Sequence, residues 1–169
     1  MERYGRVWTY CLTRHVVSQL APASDGHSPR EWSSFPYDLR FPSDVRFVER
    51  AVELVVERCR SVGLAPHALT FNVPVALTEA LSNAILYGNH EDQSKAVRVT
   101  ATLTEAALVL EVHDQGAGFD LDACTCDPTS LENLLREDGR GLFLMRQLMD
   151  SVEQSMQGEN MVRLTLRRT

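Results

Sequence analysis

Leu77-Thr-Glu-Ala-Leu-Ser-Asn-Ala-Ile-Leu-Tyr-Gly88 reads as a helix with two distinct faces. Leu77, Leu81, Ala84 and Gly88 recur at steps of three and four, which makes an apolar face. Glu79, Asn83 and Tyr87 lie four apart and form a second stripe. A carboxylate and a carboxamide one turn apart present two oxygens to a single point. That suits a hard cation carrying phosphate oxygens, or a carboxylate base beside an amide ligand. It is also ordinary surface chemistry on an amphipathic helix. The stretch alone leaves both readings open, and the rest of the chain has to choose.

Length and charge narrow the choice. The 169 residues fit one domain with an appended arm, enough to bury a core without staples. The net charge of −6 argues against a general nucleic-acid binder, which carries a basic patch, and against a membrane-surface helix. No apolar run in the sequence approaches the roughly 20 residues of a membrane span. Arg3, Arg6, Arg14 and His15 interrupt any signal-peptide core at the N-terminus. Cys11, Cys59, Cys124 and Cys126 match neither a zinc ribbon nor a dense disulfide framework, so they are read as reduced thiols of a cytoplasmic protein.

On the N-terminal side, residues 1–31 read as an arm: a short helix over Met1 to Leu20, then linker chemistry from Ala21 to Arg30. The domain is expected over 32–169. Trp32 to Phe41 reads as a strand with Phe35, Tyr37, Leu39 and Phe41 on one parity, and Pro36 predicts that it lies at an edge. Ser43 is a candidate N-cap for a helix with Val45, Val48, Val52, Val55, Cys59 and Val62 along its apolar stripe. Leu64 to Val73 reads as a connection, with Asn72 capping the Glu79 helix and Pro74 in its first turn.

On the C-terminal side, Val97, Val99, Ala101 and Leu103 alternate with polar residues. After a turn at Thr104 to Ala106, Leu108, Leu110 and Val112 do the same. This predicts a hairpin in a sheet that is covered by helices on one face and wet on the other. Asp114 continues the inward parity, so a carboxylate sits on the helix side at a strand end and needs a donor. In Asp114-Gln-Gly116-Ala-Gly118-Phe119 the glycines permit a tight turn and close approach of a ligand to backbone. An inward Asp there can accept from an adenine amino group, or simply end a strand. Asp120 to Asp138 is acidic and irregular and reads as a flap. Gly139-Arg140-Gly141-Leu142 then opens a helix whose free N–H groups and dipole favour an anion. Leu142, Met145, Met149 and Val152 read as its buried face, and Met161 to Leu166 as a final strand with Val162, Leu164 and Leu166 inward.

Together, Glu79-x-x-x-Asn83-Ala84, Asp114-x-Gly116-x-Gly118-Phe119 and Gly139-Arg140-Gly141-Leu142-x-Leu144-Met145 resemble, in order and rough spacing, the N, G1 and G2 boxes of the GHKL ATPase superfamily. The resemblance covers about Ser33 to Arg168. Within the superfamily the short Gly-Arg-Gly-Leu-x-Leu-Met form is most similar to the bacterial anti-sigma factor serine/threonine kinases. The resemblance implies an α+β fold: a two-layer α/β sandwich of the GHKL (Bergerat) type, a mixed sheet with helices on one face. It implies ATP and Mg2+, with Asn83 holding the metal, Glu79 as general base and Asp114 binding the adenine amino group. Gly116 and Gly118 would shape the base pocket, Gly139, Arg140, Gly141 and Leu142 would lie along the phosphates, and Asp120 to Asp138 would be the lid.

The implied function is an ATP-dependent protein serine/threonine kinase that regulates a sigma factor by phosphorylating an antagonist protein. The implied partners are that sigma factor and antagonist, in a homodimer, with no direct nucleic acid and no membrane. Two other functions compete: an ATP-gated binding module without kinase activity, and the ATPase half of a split histidine kinase. His15-Val-Val-Ser-Gln-Leu-Ala-Pro lacks the acidic neighbours of a phosphoacceptor histidine, which argues against the last. One departure stands out. The family often places a threonine near the start of the last strand, close to the adenine, where this chain has Glu159-Asn160-Met161. That contact is expected to be lost or replaced.

Overall fold

The computed structural model describes residues 36–60, 64–116, 140–156 and 159–168. The expected arm, the flap, Gly118 and Gly139 lie outside the described residues.

Alternating apolar residues build the sheet. Strand β1 (Tyr37–Pro42) buries Tyr37, Leu39 and Phe41. Strands β2 (Ala96–Leu103) and β3 (Ala107–Asp114) alternate along their whole lengths, as the hairpin reading expects. The Thr104 hydroxyl closes their turn by accepting from the N–H groups of Ala106 and Ala107. Strand β5 (Asn160–Arg167) buries Val162 and Leu164. Registered rows run across the sheet, such as Leu39, Val99, Val112 and Val162, and each row buries about 1.5–3 kcal/mol per side chain against the helices. On the other face, Arg98 pairs with Asp38 at 2.6 Å and Arg163 with Glu111 at 2.8 Å.

The strand order is β1-β2-β3-β5-β4, so β1 is an edge, as Pro36 predicts, and β3 is central. Every neighbouring pair runs antiparallel, which corrects the expected mixed sheet. The reason is topological. Two helical passes separate β1 from β2 and return the chain reversed. Strands β3 and β4 share a direction, but β5 lies between them.

Helix α1 (Val48–Arg60) follows a 3-10 turn at Val45–Phe47. Asp44, not Ser43, caps that turn: its carboxylate accepts from the Arg46 N–H at 3.0 Å. The Arg46 side-chain hydrogen bond holds the Asp44 carboxyl below its ordinary range. Val48, Val52, Val55 and Cys59 form the buried stripe, whereas Val45 is exposed. Burial pushes the Cys59 thiol up to about 12, which keeps it protonated and unreactive.

Helix α2 runs from Ala68 to Gly88, with an α-helical middle (Val73–Asn83) and a π-helical turn at each end. The expected connection before Val73 is therefore largely helical, begun at Pro66, a residue pre-set for a first turn. Asn72 caps nothing; its Nδ2–H donates to the Leu148 carbonyl at 2.7 Å. By length and composition α2 is apolar enough to cross a membrane, contrary to the sequence expectation. Here its apolarity serves the core: Leu77, Leu81 and Ile85 are fully buried. Helix α3 (Arg140–Leu148) packs on α2 and buries Met145. Val152, expected on that helix, lies in strand β4 (Ser151–Ser155), paired opposite Leu164.

Candidate functional site

Helix α2 is the spine of the site. Its Asn83 and Glu79 are half-exposed and one turn apart, and Tyr87 is exposed. Each end of this stripe meets a different part of the chain.

At the Glu79 end stands Gly141, in the first turn of α3. A methyl group at Gly141 would overlap Glu79 Oε2. The absent side chain thus lets the helix start and the carboxylate approach closely. Leu142 beside it is 4% exposed, so its side chain serves the core and only its backbone is left for a ligand.

At the Gly88 end stands Asp114, the last residue of the central strand and 3% exposed. A methyl group at Gly88 would lie 2.5 Å from the Asp114 carboxyl carbon. A methyl group at Gly116 would overlap the Gly88 carbonyl. The Asp-x-Gly turn is thus seated on the C-terminal turn of α2. The part of α2 that meets this turn, Ala84–Gly88, is π-helical.

The hydrogen bonds of Asp114 are one-sided. Gly116 N–H donates to Oδ1 at 2.8 Å and Asn160 Nδ2–H donates to the same oxygen at 3.0 Å. No hydrogen bond reaches Oδ2 among the described residues. Gly88 lies directly against this carboxyl group, where a side chain would overlap it.

Glu79 and Gly88 are nine residues apart, about 13 Å along a helix. The order along α2 is the Asp114 carboxyl against Gly88, then Asn83, then the Glu79 carboxyl against the start of α3. Among the described residues no three His, Cys, Asp or Glu side chains converge as a metal cage. Asn83 and Glu79 offer oxygens only, which fits a magnesium ion that takes its other ligands from phosphates and water.

Two residues of the site, Gly88 and Asn89, have no site role in the sequence reading, and a third, Asn160, enters it only within Glu159-Asn160-Met161. Gly88 was read only as part of an apolar face and a helix stop. Asn89 is fully buried; its Nδ2–H donates to the Ala96 carbonyl at 3.2 Å and its Oδ1 accepts from Gln115 N–H at 2.9 Å. It fastens the loop after α2 to the residue following Asp114, and no local signal announces this. Asn160 lies opposite Asp114 in the β3–β5 register. Its parity with Val162 and Leu164 was a usable signal.

A family model for the histidine kinase-like ATPase domain matches residues 41–166, and the chain belongs to that family. It is 34% identical over 86 residues to the serine-protein kinase RsbW of Bacillus subtilis, a match covering 48% of this chain and 54% of that protein. It is also 34% identical over 84 residues to the anti-sigma F factor of Clostridium perfringens, covering 48% of this chain and 59% of that protein. The chain thus spans little more than half the length of these curated relatives.

Proposed function

We propose that the chain is an ATP-dependent protein serine/threonine kinase of the anti-sigma type. It would hold a sigma factor and phosphorylate an antagonist protein, as a cytoplasmic homodimer. The carrying observation is the order of groups along α2: the Asp114 acceptor, then Asn83, then Glu79 against the start of α3. In this reading Asp114 Oδ2 accepts the 6-amino hydrogen of adenine, and Gly116 and Gly118 leave room for the base. Asn83 holds the magnesium ion. That ion, when bound, neutralises charge on the phosphate oxygens. Gly139, Arg140, Gly141 and Leu142 line the phosphates at the α3 start. Glu79 takes the proton from the attacking hydroxyl as its oxygen bonds to the terminal phosphorus, while the bond from that phosphorus to the bridging oxygen breaks and its electron pair leaves with ADP. Phosphoryl transfer depends mostly on such positioning and charge neutralisation, with a base assisting the nucleophile.

Calorimetric titration with ATP and magnesium tests the site, and absence of binding at millimolar nucleotide ends the assignment. Asp114→Asn is expected to weaken ATP by about 1–3 kcal/mol and to erode its preference over GTP, because the amide turns donors toward an amino group. Equal ATP affinity in this variant would move the base elsewhere.

Gly141→Ala probes the other end. The new methyl group meets only the tip of a flexible carboxylate, so the fold should hold while Glu79 swings away. Thermal unfolding should be nearly unchanged and phosphate transfer should fall by about 10²-fold, as expected for a misplaced reacting group. Unimpaired transfer by Gly141→Ala would show that the Glu79 position is immaterial. A wild type that binds its antagonist only with ATP, yet never phosphorylates it, would make the chain an ATP-gated binding module.

A further inference from the structure

Asn160 opens β5 where the resembling family often carries a threonine. It is 7% exposed and lies directly opposite Asp114 across the β3–β5 pair. Its Nδ2 donates twice, to Asp114 Oδ1 at 3.0 Å and to the Gly116 carbonyl at 2.8 Å. The orientation of the amide follows from chemistry. Both partners are acceptors without a proton, so an amide oxygen in that position would face two lone pairs.

Each of the two hydrogens of this one nitrogen has a distinct task. One occupies Asp114 Oδ1 together with the Gly116 N–H, so the carboxylate cannot turn about its last bond without breaking two hydrogen bonds. The other satisfies the Gly116 carbonyl and holds the turn to the sheet. What remains is Asp114 Oδ2, which has no hydrogen-bond partner among the described residues and is held in one direction. A hydroxyl has one hydrogen and can serve only one of the two acceptors.

We propose that Asn160 is a positioning residue for base choice: it locks Asp114 so that Oδ2 is presented as a lone acceptor to the exocyclic amino group of a purine. The inference rests on reading these residues as part of a nucleotide site. It assigns the selection to a pair, one residue on the central strand and one on its neighbour. Asn160 itself need not touch the base.

The experiment measures competition of ATP and of its 6-hydrogen analogue, purine riboside triphosphate, against a fluorescent nucleotide. Wild type, Asn160→Leu and Asn160→Thr are compared. If Asn160 acts through the amino-group acceptor, ATP affinity falls at least about tenfold in Asn160→Leu, as expected when a buried polar pair is broken. Affinity for the analogue, which has no amino group to lose, falls by less than about threefold. Asn160→Thr should lie between wild type and Asn160→Leu for ATP, and it carries the test if the leucine variant does not fold.

A merely structural role would weaken both nucleotides equally, and that result overturns the proposal, as does unchanged affinity for both. A wild type that binds ATP no better than the analogue overturns it as well, while leaving the nucleotide site standing. A wild type that binds neither overturns the nucleotide reading and this inference together.

Discussion

Glu79→Gln is expected to lower phosphate transfer to a protein serine or threonine by about 10²–10⁴ while leaving ATP affinity nearly intact. The substitution keeps the shape of the side chain and removes only its capacity to take a proton. Glu79 lies against Gly141, at the end of α2 away from Asp114, so the end proposed to bind the base is untouched. Asn83→Ala makes the contrast. A metal ligand acts on both the bound nucleotide and the transition state, so that variant should lose affinity and turnover together. Titration of ATP and single-turnover transfer to a candidate antagonist, run on both variants, separate the roles. A Glu79→Gln protein that transfers at the wild-type rate would remove the base from the mechanism and favour binding without catalysis.

Gly116→Ala is expected to abolish nucleotide binding and to destabilise the fold. A methyl group there would coincide with the Gly88 carbonyl, which is backbone and cannot rotate away. Either the turn must lift from α2 or the π-helical turn must rewind. Lifting the turn breaks the Gly116 N–H bond to Asp114 Oδ1 and the Asn160 bond to the Gly116 carbonyl. Overpacking of this kind costs about 1–3 kcal/mol, and each broken part-buried hydrogen bond about 0.5–1.5 kcal/mol more. Denaturant unfolding should show a lower midpoint, and titration should show no ATP binding at millimolar concentration. An alanine variant with wild-type midpoint and affinity would mean that the turn does not seat on Gly88. Gly141→Ala differs in kind because its obstacle is a mobile side-chain tip.

The shared element of both predictions is α2, and its reading shows how far a sequence can be taken. Its two stripes were legible because neighbours on one helix face are set by chain spacing alone. For the same reason the inward parity of Asp114 was legible, since side chains alternate along any strand. Three short boxes in order were enough to point to the family. Within Glu159-Asn160-Met161, where the family's adenine contact is expected to be lost or replaced, the Asn160 amide is bonded to Asp114.

What only the tertiary structure decided depends on partners distant in the chain. Ser151 to Ser155 has no strong period, and Val152 falls three residues after Met149, so it continues a helical pattern as well as it begins a strand. Pairing with Asn160 to Arg167 makes it β4. Asn72 has the chemistry of a helix cap, yet the Leu148 carbonyl, 76 residues away in sequence, takes its donor instead. The antiparallel order follows from where β5 inserts, and no local residue states it. Periodicity is written in single residues and survives without the fold. Register, strand order and the seating of Gly116 on Gly88 are set by hydrogen bonds and contacts between distant segments, which exist only once the chain has closed on itself.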